Sequence, residues 1–205
     1  MDDFLFQGSL EDLDPELYEL TQLESERQHR RLILIPSESS APIAVRETLS
    51  TSFQNIYAEG YPPEKTRRMS QEDILDYANR LGDYRRYSDP RYYKGVEYAD
   101  VAEALARRRC AELFAANGVK PEQIYVNVQA LSGAPANNAV YHALVNPGDT
   151  VMGMNLLHGG HLSHGSPVNR SGKYYNIVHY TVDPNTEKID YEAMAKLAAK
   201  HKPKM

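Results

Sequence analysis

The sequence predicts an α/β fold built around a parallel β-sheet, and two observations support this. From residue 97 onward, stretches with apolar residues at helical spacing alternate with short runs rich in β-branched and aromatic residues. Turn and helix-stop residues, Asn117-Gly118 and Asn146-Pro147-Gly148-Asp149, separate these stretches. Alternation of strand, helix and strand is typical of a parallel sheet covered by helices.

The first predicted element is a charged N-terminal helix. Asp14-Pro15 combines a capping carboxylate with a proline, which needs no backbone donor at the first helical position. Leu17, Leu20 and Leu23 follow as an apolar stripe, and the helix is expected to extend to about Arg31. Because its other faces are polar, we expect this helix to pack on a partner rather than to carry a core.

Two further segments precede the regular part of the chain. Ser37-Glu38-Ser39-Ser40 is expected to cap a helix that contains Val45 and Leu49. Residues 63–90 are rich in charges and tyrosines and are bounded by prolines, and a helix start is predicted within them at Ser70-Gln71-Glu72-Asp73. We expect residues 63–90 to form a surface insertion.

The later elements follow the alternating pattern. Helices are predicted from Glu97 to Asn117-Gly118, after Ser132-Gly133-Ala134, and from about Asp190. Strands are predicted at residues 124–128, 150–154 and 177–182, and a further strand is expected just after Pro203.

The composition excludes several classes of protein. The 205-residue chain has a formal charge of −5 and no dominant basic tract, which argues against a nucleic-acid or anionic-membrane partner. Its densest basic run, Arg107-Arg108-Arg109, is expected on a solvated helix face. A single cysteine, Cys110, excludes an internal disulfide and suits a reducing compartment. No apolar run approaches the ~18 residues of a membrane span, and we therefore expect a cytoplasmic protein.

The run from Leu156 to Gly165 contains three histidines and three glycines. Glycines disfavour a helix, so the run is predicted to be a loop that a metal, a phosphate or a planar cofactor approaches closely. A metal is the least favoured of these, because the run contains no Asp, Glu or Cys to complete a tetrahedral set of ligands. One imidazole stacked on a planar cofactor fits the pattern better.

Other motifs leave alternatives open. The turn from Gln129 to Ala134 joins a strand to a helix start, where backbone N–H groups and the Ser132 hydroxyl can bind an anion; an ordinary capped helix is the alternative. Tyr57-Ala58-Glu59-Gly60-Tyr61 places a carboxylate beside aromatic rings, an arrangement suited either to acid–base chemistry or to simple packing. Arg91-Tyr92-Tyr93-Lys94-Gly95 has the same two interpretations.

Together these motifs resemble the N-terminal part of serine hydroxymethyltransferase, a pyridoxal-phosphate enzyme that exchanges serine and glycine with tetrahydrofolate as the one-carbon acceptor. The resemblance covers nearly the whole chain outside residues 63–90. The matching stretches are residues 35–39, 57–62, 91–93, 127–129, 132–134, 136–137, 147–150, 152–165, 167–169, 171–173, 189–191 and 201–204.

The resemblance implies a fold and a domain organisation. Residues 1–62 would form an N-terminal helical arm and substrate-site segment, and residues 63–90 an insertion. Residues 91–205 would form part of the cofactor-binding large domain of a fold-type I pyridoxal-phosphate transferase, similar to aspartate aminotransferase. The family pattern also implies a homodimer with shared active sites, in which Tyr57, Glu59 and Tyr93 face the neighbouring subunit's cofactor.

The resemblance further implies roles for individual residues. The catalytic residues would be Glu59, Tyr57 and His161, with Glu59 as the acid–base carboxylate and His161 stacked on the pyridine ring. Ser132, Gly133 and Ala134 would hold the cofactor phosphate, with Tyr57 also near the cofactor. Serine or glycine would meet Ser37, Glu59 and Tyr93. Tetrahydrofolate would meet Glu59, Tyr92, Leu156, Gly160 and Leu162.

The sequence departs from the family pattern in several places. Leu131, Ser39 and Lys94 stand where the family usually has histidine, asparagine and glycine. The family's later half supplies the lysine that binds the cofactor covalently, the aspartate that pairs with its ring nitrogen and the arginine that holds the substrate carboxylate. No stretch of this sequence matches the family motifs that contain that lysine, aspartate or arginine. A truncated, non-catalytic protein that binds the cofactor or a partner is therefore one alternative, and a threonine-aldolase-like lyase is another. An incomplete sheet would leave an exposed edge, which predicts poor solubility or obligatory association.

Overall fold

A computed structural model describes residues 7–87 and 91–205 of the chain. The chain divides into two compact units, Met1–Tyr57 and Ala58–Met205. The helices of the first unit are α1 (Leu10–Leu13), α2 (Pro15–Arg30) and α3 (Ile43–Leu49), followed by a 3₁₀ turn at Ser52–Asn55. No described side chain of this unit is buried.

Helix α2 confirms the predicted N-terminal helix. The Asp14 carboxylate accepts a hydrogen bond from the Leu17 backbone N–H at 3.0 Å, and Pro15 occupies the first turn. The helix ends at Arg30, within one residue of the predicted end. Leu17, Leu20 and Leu23 are 46%, 61% and 52% exposed. About half of each leucine side chain in the stripe is therefore left uncovered by the described part of its own unit.

The cap predicted for α3 is wrong. The helix begins at Ile43 after Pro42, and no side chain caps it. Ser37 instead lies in a tight turn in which the Glu38 N–H donates to the Ile35 carbonyl at 3.1 Å. The physical reason is Pro42, because a proline disfavours helical backbone in the residue before it and so separates the serines from the helix.

The first helices of the second unit are α4 (Gln71–Leu75), α5 (Tyr77–Tyr87) and α6 (Glu97–Phe114). Ser70 begins α4 with a reciprocal capping box to Asp73, as the sequence predicted. Ile74 is fully buried against Val101 and Ala104 of α6. The stretch predicted to be a surface insertion thus contributes to a core, and its last residues, 88–90, lie outside the described residues.

A two-stranded parallel sheet follows, which confirms the predicted α/β character. Strand β1 (Thr150–Met154) pairs in parallel with β2 (Asn176–Tyr180), with Thr150 opposite Asn176. The connection between them contains a 3₁₀ turn, Leu156–His158, and α8 (Arg170–Tyr174). The strand predicted at residues 177–182 corresponds to β2 but ends at Tyr180, two residues early. Val182 forms an isolated antiparallel bridge with Ile189 instead.

The helices around the sheet are α7 (Gly133–Leu144) and α9 (Tyr191–His201). The Asp190 carboxylate caps α9 by accepting from the N–H groups of Glu192 and Ala193, at the position predicted. A buried cluster of Tyr141, Val145 and Val151 joins α7 to β1, and Tyr175 and Ile177 pack on it. This cluster fixes α7 against the sheet.

The strand predicted at residues 124–128 is wrong. Ile124 has extended backbone after a 3₁₀ turn, Pro121–Gln123, but no described strand pairs with this segment. A strand needs the free edge of a neighbour. One edge of β1 is taken by β2, and on the other edge the Thr150 carbonyl accepts from the Lys204 N–H and the Met152 N–H donates to the Met205 carbonyl, both at 2.8 Å. Residues just after Pro203, where we expected a strand, thus run beside β1.

Across residues 7–87 and 91–205, none of the helices combines the length and the apolar character needed to cross a membrane.

Candidate functional site

The histidine–glycine loop starts directly after β1. Asn155 caps its 3₁₀ turn by accepting from the Leu157 N–H at 2.9 Å, and Gly159 ends the turn in the left-handed conformation, with φ of 100°. A Cβ atom on Gly160 would collide with the carbonyl oxygen of Met154. The close approach that we predicted for this loop is therefore made by the chain's own strand.

His161 is exposed, and its imidazole is held through one ring nitrogen. The Ser163 backbone N–H donates to His161 Nδ1 at 3.2 Å, and the Ser163 hydroxyl lies 2.7 Å from the same atom. Ser163 is buried and also accepts a hydrogen bond from the Asn137 side-chain amide of α7 at 2.7 Å. The ring is thus anchored at Nδ1 and lies edge-on to the His164 ring, with the centroids 5.9 Å apart, while the residue as a whole stays exposed.

The other two histidines support the loop. The Tyr141 hydroxyl of α7 lies 2.9 Å from His164 Nδ1, and burial raises the pKa of that phenol, which keeps it protonated and able to donate. Burial, with a smaller contribution from His161, lowers the pKa of His164, which favours the neutral ring. His158 Nδ1 accepts from the Val182 N–H at 3.3 Å.

The start of α7 has the character of an anion site. Ser132 precedes the helix with extended backbone, φ of −161° and ψ of 178°, and its hydroxyl makes no capping bond. The N–H groups of Gly133 and Ala134 have no intrahelical acceptor, and Pro135 has no N–H to offer. All three residues of Ser132-Gly133-Ala134 are exposed. Two backbone donors, one hydroxyl and the positive end of the helix dipole suit a phosphate.

Glu59 lies in a loop that a buried arginine holds. Arg91, 2% exposed, donates from Nη1 to the carbonyls of Ala58 and Gly60. The Tyr92 N–H donates to the Glu59 carbonyl at 3.0 Å. Gly60 has φ of +112°, and a Cβ there would stand 3.0 Å from the Arg91 Cα, so the loop requires glycine at this position. The Glu59 side chain itself is exposed.

Carboxylates of α6 hold this arginine in turn. Arg91 Nε donates to Asp100 at 2.5 Å and Nη2 to Glu103 at 2.6 Å. Burial raises the pKa of Asp100 to about 7, and the buried Arg80 nearby favours the charged form. Guanidinium groups therefore favour the charged form of this carboxylate, whereas burial and the nearby Glu103 favour the neutral form.

Gln129 connects this region with the start of α7. Its side-chain amide donates to the Gly60 carbonyl at 2.7 Å and to Glu103 at 2.9 Å. Gln129 lies three residues before Ser132, so its side-chain bonds tie the Glu59 loop to the segment that leads into α7.

The structure brings together only part of the predicted site. Leu156, Gly160 and Leu162 share the His161 loop, and both leucines are 46% exposed. Glu59 and Tyr92 are joined by a backbone hydrogen bond, and Tyr93 is the next residue. Ser37 and Tyr57 belong to the first unit, whereas the remaining predicted site residues belong to the second.

Sequence reasoning assigned no role to the residues that support this site. Asp100 could have been noticed, because a carboxylate on the same buried stripe as Val96 and Ala104 requires a buried partner. Nothing in the local pattern singles out Ser163 or Asn137.

In the described part of the chain, no group of three His, Cys, Asp or Glu side chains is placed to hold a metal ion.

The comparison with known families agrees with the resemblance seen in the sequence. Residues 10–87 and residues 77–205 match the family model described as serine hydroxymethyltransferase. The two matches overlap at residues 77–87 and together extend from residue 10 to residue 205.

The buried ion pair gives a stability prediction. Arg91→Met should lower the free energy of unfolding by about 3–5 kcal/mol, because it removes the guanidinium that is hydrogen-bonded to the buried Asp100 carboxylate and to Glu103. Urea denaturation measures this loss. Arg170→Met is the matched control in the same unit, because Arg170 is exposed and lies over the Tyr174 ring, and it should cost less than about 1 kcal/mol. Equal losses for the two variants would contradict the role given to Arg91.

His164 gives a prediction about pH. Its pKa is lower in the folded chain than in the unfolded chain, so the unfolded state binds more protons once the pH falls through about 6.5. Its contribution to stability is therefore complete above that pH and is lost below it. In urea denaturation between about pH 7.5 and about pH 5, His164→Gln should lose less stability on acidification than the unmodified chain. Parallel curves would show that His164 is not the group responsible.

Proposed function

Because the chain belongs to the serine hydroxymethyltransferase family, we propose that it serves the pyridoxal-phosphate-dependent exchange of serine and glycine, with tetrahydrofolate as one-carbon acceptor. The observation that carries the proposal is the exposed, uncapped start of α7, joined through Asn137 and Ser163 to an exposed imidazole. A phosphate on the helix and an aromatic ring under His161 would suit such a cofactor.

The residues present fit the cofactor. Ser132, Gly133 and Ala134 would bind its phosphate through one hydroxyl and two backbone N–H groups, and His161 would cover one face of its ring. When bound, pyridoxal phosphate supplies an electron sink for bonds at the amino acid's α-carbon.

We further propose that residues 91–205 form part of a fold-type I large domain, that residues 1–62 form its arm and substrate segment, and that residues 63–90 are inserted between them.

Glu59 is the proposed acid–base group. Its carboxylate would hold or accept the proton of the serine hydroxyl. The bonds from Arg91 to the carbonyls of Ala58 and Gly60 and from the Tyr92 N–H to the Glu59 carbonyl hold the backbone from which this side chain projects. Ser37, Tyr57 and Tyr93 would bind and orient the amino acid. Tetrahydrofolate would contact Glu59 and four further residues, which are Tyr92, Leu156, Gly160 and Leu162.

We also propose that the working assembly is a homodimer. The first unit buries none of its described side chains, and the leucine stripe of α2 is about half exposed along its length. A second copy of the chain would cover such a surface and would bring Tyr57, Glu59 and Tyr93 to a neighbouring cofactor.

Sedimentation velocity tests the dimer. We expect the unmodified chain to sediment as a dimer and Leu20→Glu to weaken association at least about tenfold, because a charge would then enter an apolar contact. Gln22→Glu is the control, because it adds the same charge to the same exposed helix outside the leucine stripe. A monomeric unmodified chain, or equal behaviour of the two variants, would count against the proposal.

The cofactor site predicts opposite effects on stability and binding. Ser132→Asp adds a good helix cap and a charge that favours the helix dipole, so the free energy of unfolding should stay equal or rise by about 0.5–1 kcal/mol. The same carboxylate repels phosphate, so binding of pyridoxal phosphate, measured by equilibrium dialysis, should weaken at least about tenfold.

Thr51→Asp is the control for that experiment. Thr51 also precedes a helical turn without a side-chain cap, so the substitution adds the same charge at a comparable position away from α7. Its binding of pyridoxal phosphate should match that of the unmodified chain. Unchanged binding in Ser132→Asp would reject the start of α7 as the phosphate site.

A further inference from the structure

We propose that Asn137 and Ser163 are positioning residues that fix the His161 imidazole in the tautomer with its proton on Nε2 and bind its loop to α7. The function proposed above uses these two residues only as the link between α7 and the His161 loop, and it gives the purpose of the ring but not its protonation. The inference depends on that function only for the identity of the ligand that the His161 ring would cover.

The tautomer follows from the donors around His161 Nδ1. The Ser163 backbone N–H points at this nitrogen from 3.2 Å, and a backbone amide can only donate. Nδ1 must therefore be an acceptor without a proton. In a neutral imidazole the proton is then on Nε2.

The Ser163 hydroxyl adds a second donor to the same atom. The Asn137 amide nitrogen donates to Ser163 Oγ at 2.7 Å, and the hydroxyl's own proton is then available for His161 Nδ1, also at 2.7 Å. Amide, hydroxyl and imidazole form a chain in which every donor has one acceptor. Ser163 is only 2% exposed, so water competes little for these groups.

Helix α7 holds the loop at two points. Asn137 and Tyr141 are four residues apart and therefore lie on one face of the helix. Asn137 reaches Ser163, and Tyr141 reaches His164 Nδ1 at 2.9 Å. The ring of His161 is consequently fixed relative to the helix whose first residues form the anion site. A ligand with a phosphate and a planar ring would meet both parts in a set geometry.

Nitrogen-15 NMR of the histidine side chains in the ligand-free chain tests the proposal. At about pH 8, where an ordinary histidine is neutral, we expect His161 to show a protonated Nε2 and an unprotonated Nδ1. Ser163→Ala removes the hydroxyl but keeps the backbone N–H, so His161 Nδ1 loses one of its two donors and the His161 nitrogen signals should shift toward those of a less firmly held imidazole. Ser163→Thr keeps the hydroxyl and should restore the original signals.

A second, isosteric variant covers the case in which Ser163→Ala fails to fold. Asn137→Asp replaces a donor by an acceptor, so the Ser163 hydroxyl would turn toward the new carboxylate and release His161. It should therefore shift the His161 nitrogens as Ser163→Ala does. Tyr141→Phe is the matched control on the same helix, and it should change the His164 signals while leaving those of His161 in place.

The possible outcomes are distinct. A proton on Nδ1 of His161, or His161 signals that neither Ser163→Ala nor Asn137→Asp moves, would overturn the proposal. Because the measurement uses no cofactor, its result is independent of the function proposed above. A chain that does not bind pyridoxal phosphate but shows the fixed tautomer would contradict that function and support this inference.

Discussion

The placement of the Glu59 loop against α6 depends on the buried cation Arg91. Arg91 is almost fully enclosed, so its guanidinium must find partners for its charge and its donors within the protein. The carboxylates of Asp100 and Glu103 in α6 balance its charge, and the carbonyls of Ala58 and Gly60 accept its other hydrogen bonds. An irregular loop with no secondary structure of its own is thereby held against a long helix. The backbone of Glu59 is placed by its own carbonyl and by those of its two neighbours.

Helix α7 has a similar organising role for the other half of the site. It packs on β1 through Tyr141 and Val145, and it presents Asn137 to the histidine loop. Its first turn stays free of side-chain caps. The helix that would bind an anion at its start is thus the same helix that fixes the aromatic ring. Gln129 links this helix to the Arg91 region, so the two halves of the site are not independent.

Much of the fold could be predicted from local chemistry, because caps and turns are local. Asp14, Ser70 and Asp190 each start a helix where the sequence indicated, and β1 was placed correctly. The cap predicted for α3 failed for a local reason, Pro42, but the strand predicted at residues 124–128 required information about distant residues. Residues 124–128 have strand-forming side chains, but pairing depends on which edges of the sheet are free.

The candidate site shows the same division. The exposed residues with obvious chemistry, such as His161 and Ser132, were found from motifs. Their supports were missed, because the amide of Asn137 gains its meaning only from a serine 26 positions later in the chain. The Asp100 carboxylate likewise acts through Arg91, which approaches it from outside the helix. Long-range partners of this kind are not encoded in any local spacing.

Gly160 carries a further consequence for how mutational data on this loop are interpreted. Every other amino acid has a Cβ atom, and at this position that atom would overlap the Met154 carbonyl. A scan of all substitutions at Gly160 would therefore find each one harmful even if no ligand ever touched the residue. Intolerance at this position measures the fit of the loop on β1. It does not report on ligand contacts. Substitutions of Leu156 and Leu162 can report on them, because these side chains are exposed.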